Sequence, residues 1–199
     1  MSSPLRIGII IGSTRPGRVG DQVANWVQTH ASRLSDAQYE IVDLAEVNLP
    51  FLDEGIPASA GRYANAHTVA WAEKIDSFDG FIFVTPEYNH APAATLLNAI
   101  SFIYREWNDK AAALVSYGAT ANGGRAADML RPILGEIQIA DVRQQLAFSL
   151  IHDFEGFRTF TPGEQHLSSL QNLVEQLESW AGALREVRAR KLEAAAAAA

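Results

Sequence analysis

Three short segments of the chain carry side chains that could bind a ligand, and the first follows an apolar run at residues 5–11. The segment GSTRPGRVG offers the hydroxyls of Ser13 and Thr14 and the guanidinium groups of Arg15 and Arg18. Hydroxyl and arginine donors, together with free N–H groups at a helix start, suit a doubly charged phosphate monoester. A Walker A loop needs a lysine, and the dinucleotide fingerprint has glycines where this segment has arginines. The segment therefore predicts a site for a terminal phosphate, with an ordinary turn and solvated arginines as the alternative.

The second and third segments, TPEYNH and SYGATANGG, are suited to holding a flat heterocycle. After the X-Pro restraint, the chain around Glu87 can present backbone N–H groups along a ring edge, with Tyr88 against the ring. The adjacent glycines 123 and 124 permit close approach of the backbone to a planar group. Each segment also has a simpler interpretation, in which Glu87 pairs with a surface arginine, Tyr88 caps the core and the glycines begin a helix.

Alternating apolar segments must position these loops. β-Branched and apolar runs predict buried strands at residues 5–11, 39–44, 80–86, 111–117 and 142–149. Amphipathic spacing predicts one helix after the first loop and further helices at residues 63–78, 93–104, 125–134 and 164–190. This alternation predicts a three-layer α/β sandwich with a five-stranded, parallel, doubly wound sheet in the order 2-1-3-4-5. In such a sheet the ligand lies beyond the carboxyl ends of the strands, where the three loops meet.

The composition limits the class of protein. A length of 199 residues suits one domain, which we expect to span residues 1–190. Residues 191–199 form a low-complexity tail, for which a natural and an artificial origin both stay open. The formal charge of −7, without a basic face, argues against nucleic acid as a partner. Cysteine is absent and the five histidines are scattered, so we expect no metal site. No apolar run approaches a membrane span and the N-terminus is unlike a signal peptide, so we expect a soluble, cytoplasmic protein.

The motifs G-S-T-R-P-x-R-x-G, T-P-E-Y-N-H and Y-G-x(4)-G-G resemble those of the NADPH-dependent FMN reductase family over residues 5–150, and T-P-E-Y-N is the most specific of them. That family includes flavin, quinone, azo-dye and chromate reductases on a flavodoxin-like fold. The resemblance implies FMN as the cofactor and NADPH, or NADH, as the hydride donor. It also implies three groups of cofactor-binding residues: Ser13, Arg15, Arg18, Val19 and Gly20 at the phosphate; Pro86, Glu87, Tyr88 and Asn89 along the ring and ribityl chain; and Ser116, Tyr117, Gly118, Gly123 and Gly124 on the opposite side. For Arg18 two roles stay open, a contact with the FMN phosphate or with incoming NADPH.

The sequence has no side-chain set typical of nucleophilic or acid–base catalysis, which suits an enzyme whose cofactor carries the chemistry. The expected activity is that of an NAD(P)H-dependent oxidoreductase that reduces flavin, quinone or a similar small acceptor by a ping-pong mechanism. The sequence does not decide the acceptor, or NADPH over NADH. Two alternatives stand beside it: a flavodoxin-type electron carrier that does not oxidise nicotinamide, and a flavodoxin-like adaptor without flavin.

The resemblance further implies a homodimer, or a dimer of dimers, with flavin near the subunit interface. Tyr104 and Trp107, at the exit of the helix predicted at residues 93–104, could form an interface or a lid. Simple capping of the hydrophobic core is the alternative for these two aromatic residues.

Overall fold

The computed structural model describes residues 3–198 and contains a five-stranded parallel sheet. Its strands are β1 (Arg6–Ile11), β2 (Gln38–Asp43), β3 (Gly80–Pro86), β4 (Lys110–Gly118) and β5 (Ile139–Ser149). They pair in parallel in the order β2-β1-β3-β4-β5. The fold class and the strand order predicted from the sequence are confirmed.

Helices cover both faces of the sheet. They are α1 (Gly20–Ala31), α2 (Leu44–Val47), α3 (Ala66–Asp76), α4 (Ala94–Ser101), α5 (Gly124–Glu136) and α6 (Gln165–Ala198). Helices α1 and α6 pack on the face that carries Ile7 and Ile9, whereas α3, α4 and α5 pack on the face that carries Ile10, Phe81 and Phe83. Successive side chains of a strand point to opposite faces of the sheet, so each central strand contributes side chains to the hydrophobic cores on both faces. Such a strand must therefore be apolar throughout. Strands β3 and β4 are accordingly buried along their whole length.

The structure shortens the helix predicted at residues 63–78 to Ala66–Asp76, and it corrects three further elements expected from the sequence. The helix predicted at residues 93–104 ends at Ser101 and is followed by a 3₁₀ turn at Arg105–Trp107. The strand predicted at residues 142–149 begins at Ile139, with a register shift opposite residues 112–114. The segment between β5 and α6, predicted as a loop, contains a hairpin of β6 (Phe154–Glu155) and β7 (Thr159–Phe160).

Two buried tryptophans explain why α4 ends early. Trp107 is 0% exposed and packs edge-on against Phe81, with 4.9 Å between ring centroids. Its indole N–H donates to the carbonyl of Ile100 (3.3 Å), and the indole N–H of Trp71 donates to the carbonyl of Ala99 (2.9 Å). These carbonyls belong to the last turn of α4, which has no intrahelical donors for them. Trp107 therefore caps the core, and the expectation that it forms an interface or a lid is wrong.

The last helix continues into the alanine-rich tail. Residues 191–198 of the predicted tail are helical and exposed, and residue 199 lies outside the described part of the chain. None of the helices within residues 3–198 is both long enough and apolar enough to cross a membrane.

A buried lysine lies at the amino edge of the sheet, at the start of β4. The side chain of Lys110 is 1% exposed, and its Nζ donates to the carbonyls of Ile75 (2.8 Å) and Asp76 (3.1 Å) in the last turn of α3. Burial lowers the pKa of Lys110 from 10.5 to about 8. Between these values the unfolded chain binds the proton that the folded chain has released, so the stability contribution of Lys110 rises with pH.

We expect the free energy of unfolding of the wild type, relative to that of Lys110→Met, to rise by up to about 3 kcal/mol between pH 7.5 and pH 10.5. Urea unfolding of both proteins at the two pH values measures this difference. Lys191→Met is the matched control, because the side chain of Lys191 is 61% exposed. A difference that stays constant with pH would contradict a buried ammonium destabilised by desolvation.

Candidate functional site

A cavity of about 330 Å³ lies at the carboxyl edge of the sheet. Four segments line it: the loops after β1, β3 and β4, and the chain after β5. Its volume is in the range of small-molecule sites. The lining residues are Arg15, Gly17, Arg18, Val19, Pro86, Glu87, Tyr88, Tyr117, Gly118, Ala119, Leu150 and Phe157. The three loops singled out in the sequence therefore meet at one place.

The loop after β1 is held by contacts to its neighbours. The hydroxyls of Ser13 and Tyr88 are hydrogen-bonded at 2.9 Å, which joins this loop to the loop after β3. Arg18 donates from Nη1 to the carbonyl of Ser13 (3.0 Å) and forms an ion pair with Asp43 at the end of β2. Arg15 is exposed on the cavity wall and makes no ion pair within residues 3–198. The loop thus contains one neutralised arginine and one free cation.

The N-terminus of α1 opens onto the same loop. Val19 is the N-cap residue, and no side chain accepts a hydrogen bond from the first turn. The N–H groups of a first helical turn have no intrahelical partners and carry the positive end of the helix dipole. A Cβ on Gly20 would lie 2.8 Å from the hydroxyl oxygen of Tyr117, so only glycine fits beneath this tyrosine. The arrangement favours an anion at the helix start.

The loop after β3 forms a tight turn. The N–H of Glu87 donates to the carbonyl of Tyr117 (3.0 Å), and Tyr88 and Ala91 exchange backbone hydrogen bonds of 2.9 and 3.0 Å. The two residues between them, Asn89 and His90, both have positive φ (52° and 68°), as in a type I′ turn. The N–H groups of Glu87 and Tyr88 are therefore already used within the protein. Those of Asn89 and His90 have no acceptor in residues 3–198, but both residues are exposed and neither lines the cavity.

Glu87 is held by an arginine, as the simpler interpretation of the sequence suggested. Its carboxylate Oε1 accepts a hydrogen bond from Nε of Arg125 (2.7 Å) in the first turn of α5. The side chain of Glu87 is 7% exposed, whereas that of Arg125 is 40% exposed. This ion pair joins the loop after β3 to the helix that follows β4.

The loop after β4 is closely packed on its own glycines. A Cβ on Gly118 would lie 2.7 Å from the nitrogen of Gly123, and a Cβ on Gly123 would lie 2.6 Å from the nitrogen of Tyr117. Gly123 also has a φ of 81°, which disfavours other residues. The hydroxyl of the buried Ser116 donates to the carbonyl of Asn122 (3.0 Å) and closes the loop from behind. These residues shape the wall of the cavity without filling it.

Three buried side-chain oxygens at this edge have no hydrogen-bond partner in the described structure. They are Oδ1 of Asp21 in the first turn of α1, Oε2 of Glu87 and the hydroxyl of Tyr117. Burial raises the pKa of Tyr117 well above its usual value, and the neighbouring Tyr88 and Asp21 act in the same direction, so its hydroxyl stays protonated. Buried polar groups are normally paired, and unpaired ones point to a missing ligand or water.

The structure separates the predicted site residues into two sets. Arg15, Arg18, Val19, Pro86, Glu87, Tyr88, Tyr117 and Gly118 line the cavity. The others do not line it: Ser13, Gly20, Ser116 and Gly123 lie behind it, Asn89 is at an exposed turn, Gly124 begins α5, and Thr14 lines a neighbouring cavity beside α2 and α4.

Four cavity residues were not among the predicted site residues: Gly17 and Ala119 lie within two of the predicted loops, whereas Leu150 and Phe157 lie outside all three. Leu150 directly follows β5, and the rule that ligands lie beyond the carboxyl ends of strands could have indicated it. Phe157 is at the turn of the β6–β7 hairpin, with a φ of 60°. Gln22 of α1 holds this hairpin by accepting from the N–H of Phe160 (2.9 Å) and donating to the carbonyl of Arg158 (2.7 Å). No local sequence pattern indicates that contact.

Within residues 3–198 no group of three or more histidine, aspartate or glutamate side chains is placed to hold a metal ion. The cavity instead combines the guanidinium of Arg15 and the uncapped start of α1 with aromatic and glycine-rich walls. Such a site can hold an anionic group at one end and a flat, partly polar group between its loops.

Comparison with known proteins identifies the chain. A model of the NADPH-dependent FMN reductase family matches residues 5–153. The chain is 38% identical over 150 residues to an NAD(P)H-dependent FMN reductase of Schizosaccharomyces pombe, covering 74% of each protein. It is 33% identical over 133 residues to an NAD(P)H:quinone oxidoreductase of Solanum tuberosum, covering 65% of this chain and 66% of that protein.

A solved structure shares the fold. The flavoenzyme NAD(P)H:(acceptor) oxidoreductase FerB of Paracoccus denitrificans aligns with a TM-score of 0.71 at 18% identity, over 89% of this chain and 97% of that chain. The family match includes the loops after β1, β3 and β4, which line the cavity. On this match, the chain belongs to the NADPH-dependent FMN reductase family.

Proposed function

We propose that this protein is an FMN-dependent oxidoreductase that takes hydride from NADPH or NADH and reduces flavin, quinone or a similar small acceptor. The observation that carries the proposal is the meeting of three loops at one cavity, with a free arginine and an uncapped helix start at its end. A phosphate monoester and a flat ring are the two ligand features that this cavity suits. FMN has both.

The residues present fit FMN in three respects. The N–H groups that begin α1 and the guanidinium of Arg15 would hold the phosphate. Gly118 lines the cavity, and its close packing against Gly123 compacts the loop after β4, so that backbone without a side chain forms this part of the wall. The unpaired oxygens of Asp21, Glu87 and Tyr117 are acceptors and a donor that a polar ligand would satisfy.

When bound, FMN supplies the hydride and electron transfer, and the protein supplies binding and electrostatics. Tyr88 and Tyr117 contribute apolar walls, and the start of α5 behind the loop after β4 places the positive end of a helix dipole near the site. Leu150 and Phe157 extend the apolar wall on the hairpin side, and Phe157 is 59% exposed there. In a ping-pong cycle, nicotinamide and acceptor would use the same space beside the bound flavin in turn.

We further propose that the protein acts in the cytoplasm as a homodimer or dimer of dimers, with residues 1–190 as one FMN-binding domain. What supports a subunit contact is an apolar segment between α2 and α3. Phe51 in this segment is 89% exposed, and Leu52 and Ile56 are also exposed. Contiguous exposed apolar surface is typical of protein–protein contacts.

Anaerobic mixing of the FMN-loaded protein with excess NADPH tests the proposed activity. We expect the visible flavin absorption to bleach and to return when a quinone or air is added. A yellow spectrum that persists with both NADPH and NADH would favour an electron carrier instead. Failure of the purified protein to bind added FMN would favour the flavin-free adaptor.

Arg15→Ala is expected to weaken FMN binding about ten- to a hundred-fold, because it removes a charge-assisted contact with the phosphate. Binding of riboflavin, which lacks the phosphate, should change little. Equilibrium titration followed by flavin fluorescence measures both affinities, with the exposed Arg143→Ala as the control. An unchanged affinity for FMN would contradict the assignment of the phosphate site.

Tyr117→Phe tests whether the unpaired hydroxyl is kept for a ligand. Its removal should stabilise the flavin-free protein by about 1 kcal/mol, because an unsatisfied buried group is lost, and should weaken FMN binding. Tyr39→Phe is the matched control, since the buried hydroxyl of Tyr39 donates to Glu178 and its loss should destabilise the protein. Urea unfolding without FMN and a flavin titration give the two readouts. Destabilisation by Tyr117→Phe with unchanged FMN affinity would show a purely structural hydroxyl.

A further inference from the structure

We propose that Asp43 is a positioning residue for the phosphate site. Paired with Arg18, it holds the peptide between Ser13 and Thr14 in the orientation that lets the loop after β1 bind a phosphate monoester. In this arrangement Arg15, and not Arg18, is the side-chain cation that meets the phosphate. The inference rests on the proposed FMN-binding function and assigns separate roles to the two arginines.

The contacts of Arg18 point inward, to the protein. Its two terminal nitrogens are both engaged, Nη1 with the carbonyl of Ser13 at 3.0 Å and Nη2 with the carboxylate of Asp43. The side chains of Arg18 and Asp43 are only 18% and 13% exposed. A half-buried pair of opposite charges is mutually neutralised, and separating it would leave a poorly solvated carboxylate behind. Arg18 is therefore a poor candidate to turn away toward an incoming anion.

Asp43 is held in place by contacts other than its ion pair with Arg18. It is the last residue of β2, opposite Ile11 in the register with β1. Its Oδ1 accepts a hydrogen bond from the N–H of Ala45 (2.9 Å) and caps α2, so that Oδ2 is directed to Arg18. One carboxylate thus connects the end of β2, the start of α2 and the phosphate loop.

The contact of Arg18 with the carbonyl of Ser13 sets the orientation of the peptide group between Ser13 and Thr14. The peptide group is planar and trans, so the carbonyl of Ser13 and the N–H of Thr14 point in opposite directions. Because Arg18 holds the carbonyl, this oxygen cannot turn toward a phosphate and repel it. The N–H of Thr14 is directed away from Arg18 and has no acceptor within residues 3–198. The hydroxyl of Ser13 is hydrogen-bonded to Tyr88, so the loop after β3 holds the side chain of Ser13 independently of Arg18.

Neutralising the charge of Asp43 distinguishes a positioning role of the Asp43–Arg18 pair from a direct contact between Arg18 and the phosphate. If Arg18 itself bound the phosphate, neutralising Asp43 would free the guanidinium and remove a nearby negative charge, and FMN would bind equally well or more tightly. If Asp43 positions the loop, the same change weakens FMN binding although it removes a repulsive charge. The two roles predict opposite signs.

Asp43→Asn is the decisive variant, because asparagine keeps the size of the side chain and can still cap α2. We expect the Kd for FMN to rise about ten-fold, the loss of one charge-assisted contact, with the Kd for riboflavin within about two-fold of wild type. The melting temperature of the flavin-free protein should change no more than that of the control Asp141→Asn. Asp141 forms a comparable half-buried pair with Arg131, at the opposite end of β5 from the cavity.

The double variant Arg18→Ala/Asp43→Asn completes the test. We expect it to bind FMN no more weakly than Arg18→Ala alone, since both changes release the same peptide. Arg18→Lys should fall between wild type and Arg18→Ala, because lysine cannot hold the carbonyl and the carboxylate in one planar group. Unchanged or tighter FMN binding by Asp43→Asn, or additive losses in the double variant, would overturn the positioning role. If the wild type itself does not bind FMN, the proposed function fails first, and that result is separate from any effect of Asp43→Asn.

Discussion

The parallel direction of all five strands is the constraint on which the rest of the structure depends. A parallel sheet needs a crossover after every strand, so helices cover both of its faces and the strands are buried. No polar chemistry can be placed on the faces of such a sheet without large cost. The loops beyond the carboxyl ends are the remaining place, and there lie Arg15 and Arg18, the unpaired oxygens of Asp21, Glu87 and Tyr117, and the close contacts of Gly118 and Gly123.

Polar side chains at the amino edge and at the carboxyl edge of the sheet differ in whether their hydrogen bonds are made within the protein. At the amino edge the carboxylate of Asp79 accepts from the N–H of Arg6 (2.9 Å) and from Arg185 and Arg188. Burial alone would raise the pKa of Asp79, but the hydrogen bonds from Arg185 and Arg6 hold it below its usual value. At the carboxyl edge Asp21 and Tyr117 keep unpaired oxygens. The carboxylate of Asp79 is thus satisfied by the protein itself, whereas these two oxygens at the carboxyl edge have no partner within residues 3–198.

The charge balance of the whole chain says little about its site. The formal charge is −7, yet Arg15 on the cavity wall makes no ion pair within residues 3–198 and lies beside the positive end of a helix. The second arginine of the loop is neutralised by Asp43, so the local positive charge is concentrated at Arg15. A cation beside a helix N-terminus can select a compact anion even on an acidic protein, because the interaction acts over a few ångströms and more distant charges are screened.

The sequence by itself determined the fold class, the strand order and the three loops of the cavity, because buried strands have a local apolar signature and topology then brings their carboxyl ends together. It did not determine which loop residues face the ligand. Arg18 has the same donor chemistry as Arg15 but is paired with Asp43, some 25 residues away in sequence. Neither hydroxyl of this loop belongs to a residue that lines the cavity, since Ser13 lies behind it and Thr14 lines a neighbouring cavity. Likewise, Trp107 is in the core and Phe157 is at the cavity for reasons that no local pattern contains. Only the tertiary structure decided these placements, because each depends on which distant partner is within reach once the helices have packed.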